Sequence, residues 1–87
     1  MNATDPDLLD ARIRDVLARH GRLGGDAAAL AEGADLYQAG MTSHASVNVM
    51  LALEGDFDVE FPDHMLTRSV FSSIAAIRGA LQQLLAA

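Results

Sequence analysis

The sequence predicts an all-α fold: a small four-helix bundle of three long helices and one short one, with a long loop between the first two. Three observations carry this. Apolar residues recur at helical spacing in three separate segments, and no segment alternates like a half-buried strand. Aromatic residues are few (Tyr37, Phe57, Phe61 and Phe71), although 51% of the chain is apolar. A β-sandwich of this size would use more aromatic and β-branched residues. With 87 residues and neither internal repeat nor low-complexity tract, the chain suits one domain, 1–87.

The first helix is expected over about residues 6–20. Asp5 can cap it, and Pro6 fits the first helical position. Leu9, Ile13, Val16, Leu17 and His20 then follow at helical spacing. Arg19 and His20 suit the negative end of the helix dipole, and Gly21 suits a left-handed stop. Residues 21–42 form a long, glycine-bearing connection, in which Asp26 to Ala31 suggest a short turn. Leu36 and Tyr37 are expected to anchor this connection to the bundle.

The second long helix is expected to start at Thr42 or Ser43, both good caps, and to end near Phe57. Ser46, Met50, Leu53 and Phe57, with Val49 beside them, form its expected core stripe. Val47 and Leu51 lie off that stripe, on the side of Ser43. After Pro62, Asp63 is expected to cap a short helix with Met65 and Leu66 facing inward. Ser72 or Ser73 starts the last helix, whose Ile74, Ile77, Leu81, Leu84 and Leu85 keep a 3-4 rhythm.

Composition narrows the function. The formal charge is −6, all six cations are Arg, and none lies between Arg22 and Arg68. Such a field repels nucleic acid and anionic lipid and attracts basic protein surfaces, so neither nucleic acid nor membrane is expected as a partner. Arg12, Arg14, Arg19 and Arg22, countered by Asp7, Asp10 and Asp15, read as a charged helix face. The absence of cysteine excludes disulfides, thiolate metal sites and a cysteine nucleophile, and fits a cytoplasmic protein. No basic segment leads into a long apolar core, so no secretory signal is expected, and no apolar run reaches the ~20 residues of a membrane span.

Catalytic and metal readings fail on geometry. Neighbours such as Ser43 and His44 point about 100° apart on a helix, and no third group orients the imidazole. His20, His44 and His64 fall on three separate elements without a metal-binding spacing. The run Asp56, Asp58, Glu60 and Asp63 lacks the central Gly and final Glu of a calcium loop, so no metal is expected. Met41, Met50 and Met65 read as gap-fillers in a thin core. Ser43 has two readings. Pattern alone makes it a helix cap. The functional alternative is a modified hydroxyl at a positive helix end, where an attached phosphate gains from the dipole and free N–H groups.

From Asp35 to Ile77 the chain resembles the acyl carrier protein family. Leu36-Tyr37-Gln38-Ala39-Gly40-Met41-Thr42-Ser43 stands where that family has a loop ending in a Gly-x-Asp-Ser sequence. Val47, Met50, Leu53, Glu54 and Phe57 follow at its second-helix spacing. Val59 to Asp63 resembles the approach to its short third helix, and Ser73 to Ile77 the start of its last. The resemblance implies that Ser43 carries 4′-phosphopantetheine from coenzyme A, installed by a phosphopantetheinyl transferase. Cargo would ride on the terminal thiol as a thioester, and the chain would not itself be an enzyme.

Thr42 replaces the family's Asp before the serine, and His44 replaces its usual Leu after it. Asn48, Ala52 and Gly55 sit where fatty-acid carriers often place carboxylates. These departures speak against fatty-acid synthesis, and Ala34-Asp35-Leu36-Tyr37, Thr42-Ser43 and Phe61-Pro62-Asp63 look more like the small stand-alone aminoacyl carrier proteins of bacteria. That likeness implies an amino acid cargo, often a small one such as glycine, loaded by an ATP-dependent ligase resembling a class II aminoacyl-tRNA synthetase and passed to a downstream acceptor enzyme. Thr42, His44, Val47 and Leu51 are the expected partner-binding residues around Ser43. Two alternatives stand beside this one: an acyl carrier for fatty acid or polyketide synthesis, and an acidic interaction module without a prosthetic group.

Overall fold

Asp5 accepts the Asp7 amide at 2.9 Å, and Pro6 takes the first position of α1, which spans Pro6–His20. This is the first element of a computed structural model that describes residues 5–86. Two further helices follow, α2 (Ser43–Phe57) and α3 (Ile74–Ala86), and the described residues include no strand. The two remaining elements are single 3-10 turns, Ala27–Ala29 and Asp63–Met65. The short fourth helix of the sequence reading is the second of these turns, opened by Pro62 without a side-chain cap from Asp63.

α1 packs against both α2 and α3 and buries Leu9, Ile13, Val16 and Leu17. His20, placed on that stripe by spacing, is exposed, as a group ending the helix in water should be. The stop is also reached differently. Gly21 stays right-handed at φ −76°, and Arg22 takes the left-handed turn at φ 54°. Gly21 is needed for space instead, because a Cβ there would lie 2.8 Å from the Leu17 carbonyl oxygen.

α2 buries Ala45, Val49 and Leu53. Its core face is therefore turned about one residue from the expected Ser46–Met50 line, with Met50 and Phe57 only partly buried. Small Ala45 lets the helix approach the core closely, and that preference overrides the larger apolar side chains beside it. Asp58 closes α2 in the left-handed region at φ 53°. The Glu54 carboxylate then accepts the Phe61 amide at 2.9 Å and fixes the exit of the chain.

The two long connections complete the core. Leu36, Met41, Phe61, Met65 and Phe71 are buried in it, and Phe61 meets Phe71 edge to face at 5.3 Å. Asp26 caps the first 3-10 turn through the Ala28 amide at 2.9 Å. Arg14 reaches from α1 to the carbonyls of Ala27 at 2.9 Å and Leu30 at 2.6 Å while pairing with Asp10 at 2.7 Å. Arg14 is thus a clamp on the connection, where the sequence suggested only a charged face. Arg78 bridges Asp10 at 3.3 Å and Glu32 at 3.0 Å on the same side. Backbone bonds from Leu36 to Ser72 and from Ala75 to Glu32 tie the connection to the start of α3. At that start Ser73 caps the Ala76 amide at 3.1 Å.

Candidate functional site: a free hydroxyl at the start of α2

The site is built by the last turn of the 21–42 connection. Gly40 takes φ 117°, open in practice only to glycine, and the Met41 amide returns to the Leu36 carbonyl at 3.0 Å. That turn delivers Thr42 to the capping position. Its Oγ1 accepts the Ala45 amide at 3.0 Å. Ser43 is therefore the first residue inside the helix and not its cap. Its side chain is exposed, and its hydroxyl makes no hydrogen bond among the described residues. The neighbouring Ser46 hydroxyl bonds back to the Ser43 carbonyl at 2.7 Å and leaves Ser43 Oγ free.

Several features favour an anionic attachment at this oxygen. The first-turn amides of a helix lack intrahelical acceptors, and the dipole makes that end positive. The first turn of α2 contains no carboxylate. Beside Ser43 lies an open, mostly apolar groove of about 390 Å³, walled by Val47 and Met50 of α2, Tyr37, and Leu66, Arg68 and Phe71 of the connection to α3.

The other expected site residues sit around this point. Thr42 and His44 are both exposed, and no hydrogen bond joins His44 to Ser43 among the described residues. Val47 is 49% and Leu51 54% exposed, one helical turn apart. Leu66, expected to face inward, is 46% exposed and joins the same surface. It follows a turn too short to have an inner and outer stripe, so Met65 alone fills the inward place. Tyr37 and Arg68 were not foreseen as parts of the site. The Arg68 guanidinium lies 3.8 Å from the centre of the Tyr37 ring. Its isolation as the first fixed cation after Arg22 was the available sequence signal. No group of His, Asp and Glu among the described residues could hold a metal ion, and no described helix is long and apolar enough to cross a membrane.

A small three-helix fold of this kind is that of the carrier proteins. No family model matches the chain. An aminoacyl carrier protein from Agrobacterium fabrum is 46% identical over 77 residues, spanning 88% of this chain and 93% of that relative. The carrier protein from Agrobacterium tumefaciens, crystallised with an engineered Bradyrhizobium japonicum glycine:[carrier protein] ligase and AMP, superposes with a TM-score of 0.82 at 46% identity, covering 84% of this chain and 97% of that one. A glycylated carrier protein in complex with the Bradyrhizobium japonicum ligase gives 0.73 at 28% identity, covering 85% and 99%. The chain belongs to the aminoacyl carrier protein family.

Proposed function

We propose that the chain is one carrier domain that holds an amino acid as a thioester on a 4′-phosphopantetheine arm attached to Ser43. The observation that carries this reading is the exposed Ser43 hydroxyl, relieved of capping by Thr42, at the start of α2. When bound, the arm supplies the thiol that a cysteine-free chain lacks. Ser43 Oγ would form the new P–O bond of the phosphodiester and lose its proton as the pyrophosphate bond of coenzyme A breaks and adenosine 3′,5′-bisphosphate leaves. The start of α2 offers amides and no carboxylate to the new negative charge.

The remaining residues present this group to other proteins. Thr42 and His44 flank it, and Val47 and Leu51 form a small apolar patch next to it. Contact there would be modest in area, which suits a carrier that visits a transferase, a ligase and an acceptor in turn. The chain contributes no catalytic group to these steps. The ligase is assigned to the class resembling class II aminoacyl-tRNA synthetases, in line with the glycine:[carrier protein] ligase that holds the similar carriers. The cytoplasm, where such enzymes and ATP reside, is the proposed location.

The test is a competition for loading. The modified chain is incubated with such a ligase, ATP and a mixture of amino and fatty acids, and the thioester is read by intact mass. An amino acid adduct is expected. A fatty acyl adduct in its place would overturn the assignment of cargo.

A further inference from the structure

Arg68 stands apart from the other cations of this chain. Arg12, Arg14, Arg19 and Arg78 each pair with a carboxylate. Arg68 pairs with none among the described residues, although the chain carries twelve acids. Its guanidinium carbon instead lies over the Tyr37 ring, 3.8 Å from the ring centre. Stacking of this kind orients a guanidinium and leaves its N–H edge available for an oxyanion. Arg22 also pairs with no carboxylate among the described residues, but it does not line the groove that Ser43 borders, whereas Arg68 and Tyr37 both do.

We propose that Arg68, braced by Tyr37, is a positioning residue for the phosphodiester at Ser43. This rests on the reading of Ser43 as the attachment point. A phosphodiester carries one negative charge, and this part of the chain is strongly acidic. Asp56 sits in the last turn of α2 and Asp58, Glu60 and Asp63 follow the helix, while no other fixed cation lies between Arg22 and Arg78. A single charge-assisted contact from Arg68 would therefore fix the direction in which the arm leaves the helix end. It would lead the arm along the groove walled by Val47, Met50 and Leu66. The unmodified protein keeps the guanidinium on Tyr37, so little reordering is needed when the phosphate arrives.

The experiment uses the modified chain in three forms: wild type, Arg68→Gln, and Arg12→Gln as a control. Arg12 pairs with Asp56 at the far end of α2, roughly 20 Å of helix from Ser43. Intact mass first establishes that each protein carries the arm, and circular dichroism that each is folded. The phosphorus resonance of each is then recorded at low and high salt. The proposal predicts a phosphorus shift in Arg68→Gln that exceeds the control. It also predicts that salt moves the wild-type line toward the Arg68→Gln position, since screening shortens from about 10 Å at 0.1 M to about 3 Å at 1 M. In wild type alone, the Arg68 Nε–H signal should move between unmodified and modified forms. Equal phosphorus shifts in the two variants, with an unmoved Arg68 signal, would overturn the role of Arg68. Absence of the arm from wild type would instead overturn the Ser43 reading itself.

Discussion

Thr42 Oγ1 accepts the Ala45 amide at 3.0 Å and so takes the cap of α2 away from Ser43. The two hydroxyls are adjacent and chemically alike, yet only one has a structural task. This division separates their expected mutational effects. Thr42→Ala should destabilise the fold by about 0.5–2 kcal/mol, the usual cost of losing a cap. Ser43→Ala, at an exposed position whose hydroxyl has no partner among the described residues, should stay within about 0.5 kcal/mol of wild type. Urea melts of both variants check this, and a large loss in Ser43→Ala would return the serine to a structural role.

The faces of α2 give a second contrast. Leu51→Asp should leave the melt nearly unchanged, within about 0.5 kcal/mol, because the side chain is 54% exposed. Ligase-dependent loading should fall. Leu53→Ala, two residues on and fully buried, should cost about 2–5 kcal/mol. Loss of stability in Leu51→Asp would place that side chain in the core.

Gly40 is a conformational requirement of the turn before the site. Gly40→Ala must hold φ 117° with a Cβ that also meets the Gly24 amide nitrogen at 3.3 Å. A cost of about 1–3 kcal/mol is expected. Gly25→Ala, with open space around its new Cβ, should be neutral or slightly stabilising. Thermal melts distinguish the two.

The clamp on the 21–42 connection is testable by exchange. Arg14→Met keeps the aliphatic stem but loses the bonds to Ala27, Leu30 and Asp10, and about 1.5–3 kcal/mol with them. Amide exchange should rise most in the 27–31 region. The companion clamp should not respond to moderate pH on the Arg78 side. The hydrogen bond to Glu32 raises the Arg78 pKa above its ordinary value. A raised pKa stabilises fully below the unfolded value and is lost only as pH climbs through the folded one. The stability gap between wild type and Arg78→Gln should therefore be flat from neutral to mildly alkaline pH.

The sequence made local features legible and long-range ones illegible. The bounds of α1 could be read because Asp5, Pro6 and the Leu9–Leu17 spacing act within the helix itself. The outward position of Val47 and Leu51 followed from the same periodicity. The core face of α2 was misread by about one residue, because that helix is apolar on several sides and small Ala45 gives little signal. Leu66 was misplaced because a 3-10 turn does not keep helical periodicity. The Arg14 clamp, the Glu54–Phe61 bond and the Arg68–Tyr37 stack join residues through tertiary folding, and spacing alone does not report them. At the site, Ser43 could be picked out by its place at a helix start. Which of Thr42 and Ser43 caps that start required the geometry.

The most direct measurement is the intact mass of the chain after co-expression with a phosphopantetheinyl transferase, for wild type and Ser43→Ala. The account predicts a gain of one phosphopantetheine group on wild type and none on the variant. An unchanged wild-type mass with several transferases, or a gain that persists in Ser43→Ala, would contradict it.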